Sequence, residues 1–129
     1  MPSLVNLTPH PIRIYPIDTP DRIDPADHEP ILVLPPSPDH PPARLGQIDL
    51  GTQNLGLGVP VEYVEFVPHG GTVNPLPERL DGTWYVVALV VAIALAYRPN
   101  GRGDLLVPYL EVRNLEGTMI GCKMLARPV

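Results

Sequence analysis

Proline sets the tightest limit on what this chain can fold into. Nineteen of its 129 residues are proline, about three times the usual share of ~5%. Each one removes a backbone donor and clashes with the preceding helical turn, so helix interiors and central strands exclude it. The fold must therefore be built from short strands and ordered loops. An apolar share of 44% is ordinary for a globular protein. The length suits one domain over 1–129, able to bury roughly two thirds of its unfolded surface.

Two prolines bracket a histidine in "NLTPHPIRIY", residues 6–15. Before the break, Val5 and Leu7 are apolar at odd positions, and Asn6, Thr8 and His10 share the other face. After it, Ile12 and Ile14 are apolar at even positions. A one-residue slip exchanges the faces of a strand, so the chain must kink within "TPHP". Each proline also holds its predecessor, Thr8 or His10, extended. Two readings follow. The kink aims His10 at a ligand, as bulges do beside active sites, or it blunts an edge strand and leaves a solvated histidine.

Residues 16–30 form an acidic, proline-rich loop without the glycine and spacing of a calcium site. "ILVL" (31–34) reads as a short buried strand, followed by a stiff loop, "PPSPDHPPAR". Ser37, Asp39 and His40 in that loop do not make a triad, which is defined by geometry. A strand and a glycine-rich turn occupy 44–58, with no phosphate-loop pattern. "VPVEYVEFV" (59–67) is a strand that places Glu62 and Glu65 on opposite faces. His69 sits in the loop that follows. "TWYVV" reads as strand; "ALVVAIALAY" (88–97) is apolar on all sides, so periodicity does not decide it, its alanines favouring a short buried helix and its valines allowing a strand. "RPNGRGD" is a turn. "LLVPYLEVR" and "TMIGCKML" are strands joined by "NLEG" in a bulged hairpin, with Leu110 and Val112 inward. Six to eight short strands and one helix predict a mainly β fold, an antiparallel barrel or sandwich with a helical plug.

The only cysteine, Cys122, excludes an internal disulfide framework and fits a reducing, cytoplasmic setting. It reads as a buried small hydrophobe in the last strand, with Ile120 and Met124 on the same face. Residues 1–15 show no secretory pattern. The longest apolar run, Trp84–Tyr97, is too short for a membrane span. A net charge of −5 argues against nonspecific nucleic-acid binding. Eight of the nine basic residues are arginine, which suits planar recognition of phosphate or carboxylate. The four histidines show no zinc-ligand spacing, and no cofactor motif is present.

"LVNLTPHPIRI", "PPSPDHPPAR", "GTWYVV", "RGDLLVP" and "VRNLEGTMIGC" together resemble a group of small bacterial and phage proteins of uncharacterised function. The group often carries a serine after the Tyr-Val-Val strand, where this chain has Ala88. The resemblance implies a phage or mobile-element context. Its polar positions here are Asn6, Thr8, His10, Arg44, Tyr85, Arg102, Asp104 and Arg113, which form the candidate ligand-binding set. Three arginines, a tyrosine and a constrained histidine suit an anionic, planar ligand. The plain alternative is that Arg102–Asp104 and Arg113–Glu111 are surface ion pairs.

Three functions fit these residues. One is a binder that sequesters a nucleotide-like anionic signal. Another is a structural or protein-binding module, such as a virion component or an inhibitor of a host protein, acting as a homo-oligomer or on a host partner. The last is a hydrolase using His10 as general base or acid, oriented by Asp104 or Glu65.

Overall fold

The computed structural model describes residues 2–44, 46–67, 76–96 and 102–129. Eight strands and one helix follow in the order β1 (Ser3–Asn6), β2 (Ile12–Ile14), β3 (Leu32–Leu34), β4 (Gly46–Gln53), β5 (Val61–Val67), β6 (Thr83–Val86), α1 (Leu89–Ala96), β7 (Leu105–Arg113) and β8 (Met119–Ala126). The class is mainly β, with short elements as the proline content predicts, although Pro108 stands within β7, a strand with neighbours on both sides. His69 and the Asn100-Gly101 turn lie outside the described residues.

Six strands form one sheet in the order β1-β6-β7-β8-β2-β3. The sheet curls until its two ends nearly meet, and a bridge between Asn6 and Pro36 joins them. The result is a nearly closed, barrel-like sheet. Its pairings are mixed rather than antiparallel throughout: β1–β6, β6–β7 and β2–β8 are parallel, while β7–β8 and β2–β3 are antiparallel. Parallel neighbours need long crossovers. Here α1 and the proline-rich loops supply them.

Alternation along the strands divides the core. Val86, Ile12, Ile14 and Cys122 meet Leu34, Leu106 and Leu125 in one cluster. Tyr85, Val87, Leu105 and Val107 point the other way and meet Val91, Ala92 and Leu95 of α1. The helix is thus buried on one face only, and Leu89, Val90 and Ile93 are exposed. A third cluster joins Tyr15, Ile23 and Val112.

Three details correct the sequence reading. "ILVL" is not buried: Leu32 is 41% and Val33 46% exposed, because β3 ends the sheet order. Leu110 faces outward, 42% exposed, with a positive φ of 59°. That left-handed residue reverses the strand phase, so buried positions change from Leu105 and Val107 to Val112. Met124 is exposed and does not share the burial of Cys122.

β4 and β5 form a separate two-stranded arm. None of its described side chains enters the three core clusters. Ile48, Leu50, Tyr63 and Val64 are exposed along it.

Ala88 directly precedes α1, and its carbonyl accepts hydrogen bonds from the amides of Val91 and Ala92. It therefore occupies the N-cap position, where alanine is a poor residue. A serine at this position would supply the side-chain oxygen that caps the first amides of the helix. Ala88→Ser is expected to raise stability by about 0.5–2 kcal/mol, measured by urea denaturation. Because Gly46 pairs with Val67, replacing residues 46–67 by a short glycine-serine linker should leave the thermal unfolding midpoint within a few degrees. A collapse of the cooperative transition would show that the arm does support the barrel.

Candidate functional site

The kink between β1 and β2 is held by Asn6, which is 3% exposed. Its side-chain amide donates to the carbonyls of His10 and Leu34, both at 2.9 Å. Its side-chain oxygen accepts from the Thr8 amide at 2.8 Å. The Thr8 hydroxyl stands 2.7 Å from that oxygen and 3.0 Å from the His10 carbonyl. Both amide protons of Asn6 and its side-chain oxygen thus have backbone partners, and the single Thr8 hydroxyl proton serves either the Asn6 oxygen or the His10 carbonyl. The arrangement is an Asx turn tied to a strand 28 residues away. Pro9 and Pro11 limit the backbone further. The His10 carbonyl is clamped, while its imidazole is exposed and makes no hydrogen bond among the described residues.

A cleft of about 440 Å³ opens beside the clamp, lined by Thr8–Arg13 without Pro9, by Pro108, and by Met119–Cys122. His10 and Arg13 are its basic groups, and Pro11, Pro108, Met119 and Ile120 give it apolar walls. Arg13 forms no ion pair among the described residues. Behind the cleft β2 pairs with β8 at a single position, Ile14 with Cys122. Gly121 permits that approach: a Cβ there would stand 2.5 Å from the Arg13 carbonyl oxygen and 2.7 Å from the Tyr15 ring. The Cys122 side chain is wholly buried. Its loss of solvation pushes the thiol pKa up, against opposing backbone hydrogen bonds at Tyr109 and Met124, so it is a poor nucleophile.

The eight expected residues do not form one site. Asn6, Thr8 and His10 sit together as described. Tyr85, Arg102 and Asp104 form a second group. Tyr85 is buried in the helix-facing core and donates its hydroxyl proton to the Glu78 carbonyl at 3.0 Å. The Arg102 guanidinium lies 5.8 Å from the Tyr85 ring centre and forks onto both oxygens of Asp104, at 2.9 and 2.8 Å. Arg113 pairs with Glu111 and also donates to the Gly117 carbonyl at 2.8 Å. Arg44 is exposed before β4. Both anticipated ion pairs are present, so Arg102 and Arg113 already hold carboxylates. A further pair joins Lys123 to Asp21 at 2.6 Å, and the Lys123 hydrogen bond, then its charge, holds the Asp21 carboxyl below its usual range.

Among the described residues, Arg44 of the expected set forms no ion pair, and neither do Arg13, Arg79 and Arg127, which sequence reasoning did not single out. Arg13 is the middle residue of β2, while Arg79 precedes β6 and Arg127 follows β8. Both lie beside Trp84 in a hollow of about 330 Å³. No motif marks these residues, because the sheet brings them together from distant segments.

Asn6→Ala should cost on the order of 2–4 kcal/mol, because it leaves the Leu34 carbonyl and the Thr8 amide without the partners that Asn6 supplies and the His10 carbonyl with the Thr8 hydroxyl alone. Equilibrium urea unfolding checks this. A loss below about 1 kcal/mol would mean that water replaces the amide freely.

No protein-family model, no curated protein and no solved structure matches this chain.

Proposed function

We propose that this protein binds a small anionic ligand of nucleotide size in the His10 cleft. One observation carries the reading: a buried asparagine and a threonine pin the His10 backbone, while the imidazole and the Arg13 guanidinium stay unengaged at the cleft. Arginine offers forked, charge-assisted hydrogen bonds to phosphate or carboxylate. Proline, methionine and isoleucine walls accept a flat apolar body. The volume falls within the roughly 300–1,000 Å³ of small-molecule sites. The resemblance to phage and bacterial proteins supports a finer form, sequestration of a nucleotide-like signal of host defence. A hydrolase is less well supported. No serine, cysteine or carboxylate hydrogen-bonds the His10 ring among the described residues, and neither Asp104 nor Glu65 lines its cleft.

One observation favours a second reading, a protein-binding module. The β4–β5 arm carries exposed apolar side chains away from the core, and exposed apolar patches mark interaction sites. A host protein or a second copy of the chain would cover it.

The test is a thermal-shift titration with a panel of mononucleotides and cyclic nucleotides, on the wild type and on His10→Ala and Arg13→Ala. Ligand at 100 times its dissociation constant adds about 2.7 kcal/mol. Both variants are expected to lose most of that gain while their ligand-free midpoints stay within a few degrees. A panel with no active member, or shifts that survive both substitutions, would remove the reading.

A further inference from the structure

Arg79 lies in the segment before β6, and Arg127 directly follows β8. Both guanidinium groups converge on Gly103. Measured from where a Cβ would stand on that glycine, the Arg127 and Arg79 Nη2 atoms lie 3.1 and 3.9 Å away. The two nitrogens are therefore within about 7 Å of each other. Arg127 is laid over Trp84, 5.3 Å from the ring centre. Such stacking holds the planar fork ready, so less freedom is lost when it binds.

The charges around this pair are unbalanced. Arg102, Arg113 and Lys123 each hold a carboxylate. Arg79 and Arg127 form no ion pair among the described residues. Asp104 lines the same hollow, but both its oxygens are taken by Arg102. Asp81 also lines it, yet makes no ion pair with either arginine. Two like charges held close together repel each other, and an anion between them relieves that repulsion. Charge-assisted bonds from arginine to oxygen run about 2.7–2.9 Å. A tetrahedral oxyanion spans the gap by offering a different oxygen to each arginine.

We propose that Arg79 and Arg127, with Trp84 as a platform and Gly103 as the open floor, form an oxyanion site for a phosphate-type group. This site is separate from the His10 cleft and does not depend on it. Gly103 is part of the design, because a side chain there would push against Arg127.

Isothermal titration at low ionic strength, where screening is weak, tests the proposal with inorganic phosphate, pyrophosphate and a nucleoside monophosphate, on protein carrying His10→Ala and Arg13→Ala so that the cleft adds no heat. At least one should bind. Binding of the inorganic ions assigns the site to a free oxyanion. Binding of the nucleotide alone assigns it to the phosphoryl head of an organic ligand. Arg79→Ala and Arg127→Ala should each weaken binding tenfold or more, and the double variant should abolish it. Arg127→Lys should restore little, since it keeps the charge and loses the fork. Both arginines are exposed, so the unfolding midpoint of each variant should match that of its parent. Because the cleft substitutions are present throughout, binding read in this titration is separate from the cleft. No heat from any probe up to about 10 mM, beyond the range of a specific site, would overturn the proposal. So would binding that survives the double variant.

Discussion

The closure of the barrel depends on one buried amide. The Asn6 side chain reaches both the carbonyl of Leu34 on β3 and the carbonyl of His10 in the kink. The Asn6 carbonyl accepts the Ser37 amide at 2.9 Å, and the next residue, Leu7, accepts Ala43 at 3.0 Å. Asn6 therefore joins the first and last strands of the sheet and orders the turn between β1 and β2. A buried polar group is costly when unpaired and specifying when fully paired. Here it is fully paired, and it sets where the sheet closes.

The same contacts have a consequence for chemistry. The polar capacity of Asn6 goes to backbone groups, so Asn6 positions His10 and does not itself touch the cleft volume. A site built on an ordered turn of a closed sheet needs little reorganisation on binding. The two concave regions with unpaired cations differ in character. The His10 cleft is mostly apolar with two basic groups. The Arg79–Arg127 hollow is polar and rests on an indole. Arg13 lies within β2, whereas His10, Arg79 and Arg127 come from segments adjoining strands, where the sheet supplies rigidity and the loop supplies exposure.

Arg102 shows why composition alone misleads about a site. A chain rich in arginine and short of lysine invites an anion-binding reading, and that reading applies to some arginines and not others. Arg102 has an acid two residues away, and so does Arg113. In each case the local carboxylate reaches the guanidinium first. Arg13, Arg79 and Arg127 form no ion pair among the described residues. What distinguishes them is the three-dimensional distance to a carboxylate, which sequence spacing does not give.

Much of the fold was legible because its causes are local. Proline content excluded long helices, the phase reversal at "TPHP" marked a kink, the alanines of "ALVVAIALAY" favoured the helix, and "NLEG" marked the hairpin. Burial of Cys122 followed from its place in an apolar strand. Other features were decided only in the tertiary structure. Whether β3 is buried depends on its place in the sheet order. The direction of each strand pair depends on crossovers, and the outward turn of Leu110 depends on one left-handed backbone angle. The convergence of Arg79, Trp84 and Arg127 on Gly103 joins residues up to 48 positions apart. Local propensity and pattern act over a few residues, whereas the sites arise where sheet closure brings distant segments together.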